Sequence, residues 1–288
     1  TVRYFGVSAA AWSSGGNLTT ARTGLSGCGT QTAGLAFGGE AGPAPSTAAT
    51  EEYGGTSWTN GGNLSQRRRS TGSAGTQTAG LAFGGRIVPT STNVTEEYNG
   101  SSWTNGGNLG TAQYQLAGAG TQTAALAFGG AVTPPFTRVG TTSEYDGSSW
   151  TNGGTMTSAR NNLGGAGAQT SGLAFGGNPA TTATEEYDGS SWTNGGNLIT
   201  GRQYLSGCGA SNTAALAISG SNPGITSTEQ YDGSSWTATA SLISGTKEGA
   251  SAGTTSLALS FGGSQPGVVA TTQEFDGGGP ATLTVGTD

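Results

Sequence analysis

The chain has 288 residues, of which 56 are Gly and 9 are Pro; only 26 carry charge, for a net of −6. No basic patch is present to neutralise a phosphate backbone, no apolar run approaches the roughly 20 residues that span a bilayer, and no charged-then-apolar leader opens the chain. With no histidine, the commonest general base and the commonest metal ligand are both missing, so the expectation is a protein without catalysis, metal or cofactor, and without nucleic-acid binding or membrane insertion.

In chain order, a short segment from Val2 to Phe5 precedes Trp12 to Leu18, which has the look of an isolated strand. From there the chain repeats itself. Tryptophans stand at Trp12, Trp58, Trp103, Trp150, Trp192 and Trp236, at spacings of 46, 45, 47, 42 and 44. Six residues after each comes Leu18, Leu64, Leu109, Met156, Leu198 or Leu242. Twenty-five after come Phe37, Phe83, Phe128, Phe175 and Phe261, each opening Phe-Gly-Gly; the fifth unit slips to Ile218-Ser219-Gly220. A tyrosine lies five before each Trp except the first, and a last copy, Glu274-Phe275-Asp276-Gly277, comes near the chain end.

Within the first unit four strands are predicted: Leu25 to Gly29, Ala33 to Phe37, Thr50 to Tyr53 and Trp58 to Leu64. Gln31 to Phe37 alternates larger with smaller side chains, the two-residue period of a strand, and nothing of helical period competes. Asp-Gly after Tyr145, Tyr187 and Tyr231 supplies positive-φ hairpin positions, and Gly-Thr-Gln-Thr supplies the turn between the first two strands. Units of about 45 residues with four strands predict a β-propeller. The expected fold is all-β: one six-bladed propeller domain over 1–288, with blades at about 20–64, 65–109, 110–156, 157–198, 199–242 and 243–288, the last completed by 1–19. A nearly bulk-free first strand, Leu-x-Gly-x-Gly, would line the axis, and the Leu/Phe face of one blade would pack on the Gly/Ala/Thr face of the next. For ring closure the strand from Trp12 is expected to enter the sixth blade; the alternative is that Ala281 to Val285 does and Val2 to Phe5 is surplus. Because the chain starts at Thr1 rather than Met, processing or a flanking segment is compatible with it.

Double Gly after an apolar strand, then Glu-Tyr-Asp-Gly, then Trp, then Arg22, Arg68, Arg160 or Arg202 ten residues on, resembles the kelch repeat over essentially the whole chain. The near-identical Gly-Ser-Ser-Trp-Thr-Asn-Gly-Gly and Gly-Thr-Gln-Thr-Ala wording is similar to kelch-like repeats of virion and tail-associated proteins of marine bacteriophages. That resemblance implies a non-catalytic structural or adhesive module on a virion or other extracellular surface. Its implied partners are other virion or surface proteins, or a host-surface glycan or receptor; a secreted glycan-binding lectin and a protein-interaction scaffold are the alternatives. Asp-Gly-Ser-Ser-Trp also resembles the Asp box of sialidase propellers, but its Asp-to-Gly spacing is one residue rather than two. Galactose-oxidase-type kelch enzymes hold copper with histidines, which this chain lacks.

The recurring arginines and the acids of the Glu-Tyr-Asp-Gly element, including Glu52, Glu97, Glu144, Glu186 and Glu274, are expected to pair structurally near the loop-bearing face, with an anion or sugar-acid site there as the functional alternative. Arg67-Arg68-Arg69 is too short a basic run to bind nucleic acid. Cys28 and Cys208 occupy equivalent small positions, where burial near the axis, too far apart for a disulfide, is expected. Asn17, Asn63, Asn93 and Asn99 match the glycosylation sequon, most of them as by-products of the repeat wording.

Length varies mainly between Phe-Gly-Gly and the next Tyr or Phe, at 16, 15, 17, 12, 13 and 14 residues, while the other intervals are nearly constant. These loops, Glu40 to Ala49, Arg86 to Val94, Ala131 to Thr142, Asn178 to Ala183, Ser221 to Ser227 and Ser264 to Thr272, all contain Pro and carry the distinguishing residues. The expected partner-binding positions are Phe136 and Arg138, with Pro134, Pro135 and Arg86, since exposed aromatics and Arg contribute disproportionately to binding.

Overall fold

The computed structural model describes residues 2–42, 45–221 and 225–285. Pro43 and Ala44 of the first variable loop and 222–224 of the fifth, with Pro223, lie outside the described residues, as do Thr1 and 286–288.

The alternation read from the sequence becomes six four-stranded antiparallel sheets. The first blade consists of Ser26–Gly29, Gly34–Phe37, Thr50–Tyr53 and Trp58–Asn60, from axis to rim. Four further blades repeat the pattern with outer strands Trp103–Asn105, Trp150–Asn152, Trp192–Asn194 and Trp236–Ala238. The innermost strands of successive blades pack side by side, and the last returns to the first, so the sheets form a closed six-bladed β-propeller. The rim strand is shorter than expected: it stops at Asn60 rather than reaching Leu64, because Gly61-Gly62 turns the chain toward the next blade. Short rim strands limit the unpaired edge that could recruit another sheet.

Closure takes the first of the two routes. Ala11–Ser14 pairs with Thr272–Asp276, placing Trp12 opposite Phe275 and completing the sixth blade. The other candidate strands do not enter a blade at all. Val2–Ser8 and Gly279–Val285 pair with each other as a separate two-stranded antiparallel ribbon.

Six interblade cores hold the ring, each mixing large residues of one blade with small ones of its neighbour. Leu35 and Phe37 of blade 1, for example, pack with Ala82, Tyr98 and Trp103 of blade 2. The lack of a side chain decides this fit in places: a Cβ on Gly27 would lie 2.4 Å from the Phe261 ring of the preceding blade. A core therefore forms from few bulky residues, because Gly and Ala of one blade make room for the Leu, Phe and Trp side chains of its neighbour.

Candidate functional site

The repeated polar residues are consumed by the scaffold. Arg22, Arg68, Arg160 and Arg202 lie on the connectors entering blades 1, 2, 4 and 5 and are almost completely buried. Each guanidinium donates to backbone carbonyls at both ends of a variable loop; Arg22 reaches Gly38 and Ala49 at 2.9 and 2.8 Å. Each also pairs with a buried carboxylate: Arg22 with Glu51 at 2.8 Å, Arg68 with Glu96 at 2.9 Å, Arg160 with Glu185 at 2.8 Å, and Arg202 with Glu229. The second carboxylate oxygen accepts a backbone N–H, as Glu51 does from Thr19 at 2.6 Å. Burial lowers the pKa of these arginines, while the neighbouring carboxylates oppose the shift.

The partner is thus the acid two residues before the tyrosine, Glu51, Glu96, Glu185 or Glu229, and not the residue next to it, because consecutive strand residues face opposite sides of a sheet. Glu52, Glu97, Glu144, Glu186 and Glu274 instead accept the hydroxyl of the tyrosine in the following blade. Tyr98 reaches Glu52 at 2.5 Å, Tyr145 Glu97 and Tyr187 Glu144 at 2.6 Å, Tyr231 Glu186 at 2.5 Å, and Tyr53 bonds Glu274. Burial first, then these carboxylates, push all five phenols up to about 12.

The six tryptophans are also structural, each indole N–H donating to a threonine of the preceding blade at 2.8–3.1 Å. Cys28 and Cys208 are buried free thiols on the wall of the axial channel, pushed up to about 12 by burial. The Asp146, Asp188 and Asp232 carboxylates close exposed turns by accepting from the two following serines, which holds them down at about 2.

What remains unspent gathers on the loop-bearing face. Arg86–Ile87 pairs with Thr90–Ser91, and Ala131–Val132 with Thr137–Arg138, forming two small hairpins on blades 2 and 3. Mutual Ser91–Thr133 hydrogen bonds of 3.2–3.4 Å zip them together. The structure thereby places all five expected partner-binding positions on one wall. Pro134, Pro135 and Phe136 are exposed at the tip of one hairpin and Val88 at the tip of the other. Arg138 lies over the Phe136 ring at 5.4 Å, and Arg86 over the ring of Tyr114 at 5.2 Å.

Beside this wall opens the axial mouth, a cavity of about 140 Å³. Its rim is a set of equivalent residues that sequence reading missed: Gly24, Ser70, Gln115, Asn162, Tyr204 and Glu248, all in the left-handed region at φ 53–59°. Their backbones form a closed ring of N–H···O bonds of 2.7–3.0 Å, from Ser70 to Gly24 around to Gly24 to Glu248. Five non-glycine residues held there carry a conformational cost that the closed ring enforces. The preceding residues, Thr23, Arg69, Tyr114, Asn161, Gln203 and Lys247, bridge to the first residue of each variable loop. The available signal was the failure of the repeat: two consecutive positions never recur, although a constant strand follows them and a mostly constant Arg precedes them.

The blade geometry is consistent with kelch-type repeats. No protein-family model matches the chain, and no curated protein shows significant similarity to it.

Proposed function

We propose that this protein is a non-catalytic attachment module, carried on a virion or tail surface, that engages a host-surface glycan or receptor through its loop-bearing face. The supporting observation is where the repeat breaks down. Blade interiors, rim strands and the turns of the opposite face reuse nearly the same residues, whereas the hairpin wall and the mouth present a different residue in almost every blade. A sixfold scaffold that varies on one face is suited to display a single asymmetric binding surface. Exposed Phe136 and Val88 beside Arg86 and Arg138 supply the aromatic and guanidinium contacts that dominate recognition. The particle-surface setting rests on the resemblance of the repeat wording to bacteriophage virion proteins.

The test is binding of the purified propeller to a panel of cell surfaces and immobilised surface polysaccharides. Saturable binding that is lost in a Phe136→Ala/Val88→Asp double variant, and retained in Thr104→Lys on the rim, supports the reading. Absence of saturable binding across the panel, or equal loss from the rim variant, overturns it.

A further inference from the structure

Among the arginines with described side chains, five are matched to carboxylates: Arg22, Arg68, Arg69, Arg160 and Arg202. Arg86 and Arg138 are not, yet both are held in place. Arg138 donates from Nε to Asn161 Oδ1 at 3.1 Å and from Nη2 to Asn178 Oδ1 at 3.0 Å, so its two anchors are neutral amides that orient the guanidinium without discharging it. Arg86 stacks on Tyr114 and donates from Nη2 to the Pro89 carbonyl at 3.3 Å. Its buried Nε has no acceptor. An ordered, half-buried guanidinium without a counter-charge still attracts an anion: in Arg138 the two amides take the Nε–Nη2 edge, Nη1 is left to donate, and the side chain loses little further freedom on binding.

Arg138 is connected to the mouth. Asn161, which accepts from it, donates Nδ2 to Gln115 Oε1 at 2.7 Å, and Gln115 lines the axial cavity. In the same cavity Asn162 Nδ2 and Ser251 Oγ are buried without partners, and Ser251 is only 7% exposed. Buried polar atoms are normally satisfied, so such orphans mark groups that a ligand or ordered water completes. Tyr204 offers a ring at the rim, and Glu248, whose Oε2 accepts from Thr23 at 3.0 Å, faces it as an acceptor.

From this arrangement we propose that the axial mouth binds a carboxylate-bearing saccharide unit, with its carboxylate on Arg138 and its hydroxyls on the amides and hydroxyls of the cavity. The inference rests on the attachment reading and names the ligand class of the same face. A sugar suits the site better than an acidic peptide does. The cavity is small beside the roughly 300–1,000 Å³ of larger ligand pockets, its lining pairs donors with acceptors as vicinal hydroxyls require, and the four leucines in that lining are buried, so little apolar surface is offered to a neighbouring side chain. The anion-binding alternative raised for the recurring arginines is transferred to Arg138, since those arginines are sealed against Glu.

The experiment is calorimetric titration with sialyllactose and digalacturonate, their carboxyl-reduced counterparts, and a Glu-rich peptide. One acidic sugar should bind saturably, at least tenfold more tightly than its reduced form. Arg138→Gln should cost at least tenfold, and Arg67→Gln, at an exposed surface site, should cost nothing. The Asn162→Leu variant should weaken binding while leaving the melting temperature within a few degrees. Equal affinity for reduced and acidic sugars overturns the carboxylate assignment but leaves the attachment reading standing. Preferential binding of the peptide overturns the saccharide class. Failure of every probe overturns this inference, while the attachment reading is then judged by the cell-surface panel alone.

Discussion

The joint between blades 1 and 2 and the joint between blades 5 and 6 occupy equivalent places in the ring but are built differently. The first has every repeated contact: Trp103 to Thr50, Tyr98 to Glu52, the Gln77 amide to the Gly34 and Tyr53 carbonyls, the Arg68–Glu96 pair, and Phe37 against Trp103 at 4.9 Å. At the second, only Trp12 to Thr228 remains, at 3.1 Å. Phe275 replaces the tyrosine and Gln230 its glutamate; Thr255 replaces the clamp glutamine; Thr246 and Gln273 replace the ion pair; Ile218 replaces the phenylalanine. The losses come in matched pairs. The connector entering blade 3 shows the same rule, with Gln113 where Arg is usual and Ser143 where Glu is usual. A buried charge without its partner costs far more than a neutral pair, so the two members are lost together.

The largest effect should come from breaking that rule at the stronger joint. Glu96→Ala strands Arg68 in the interior and should cost about 3–5 kcal/mol in urea unfolding. Arg68→Gln combined with Glu96→Ser, the pairing blade 3 already uses, should cost clearly less than the single change. If the single and double variants are equally damaged, matched charge is not what holds the joint.

Alkaline titration should narrow the contrast from the other side. The five tyrosines that bond glutamate keep their protons in the folded state to about pH 12, whereas in the unfolded chain they lose them near pH 10. Folded pKa values above unfolded ones mean that the contribution is complete below about pH 10 and falls as pH rises toward 12. Unfolding midpoints measured from pH 8 to 12 should decline over that window, and more shallowly in Tyr98→Phe/Glu52→Gln, which copies the blade 5–6 solution.

The smallest effect is a repair. Phe275→Tyr with Gln230→Glu and Thr239→Gly, the last clearing the place that Gly61 holds against the Tyr98 hydroxyl, supplies the missing hydrogen bond and should stabilise by up to about 1 kcal/mol, read as a rise in melting temperature. Hydrogen exchange should slow at the 5–6 joint, which in the parent protein should open before the 1–2 joint.

How much of this was legible depended on whether a residue recurs. Trp, Phe-Gly-Gly and Tyr repeat because each fills the same place in an interblade core, so their period revealed the blade count and the strands. Phe136, Arg138 and Arg86 stood out because they fall in loops of variable length. Asn162, Tyr204 and Glu248 did not: the comparison of units weighs agreement, and these positions are informative through disagreement. Nor did spacing reveal that Arg pairs with the first glutamate of a doublet and Tyr with the second, since that follows from which face of a sheet each meets.

By itself the sequence determined six wedges of antiparallel sheet and the packing of large residues on small, because hydrophobic period and turn chemistry are local and repeated. Only the tertiary structure decided that Val2–Ser8 and Gly279–Val285 pair outside the blades, that one joint lacks most of its repeated contacts, and that Arg138 is ordered beside an axial mouth. Those outcomes depend on bringing together residues far apart in the chain. A closed ring does so through geometry that no single repeat contains.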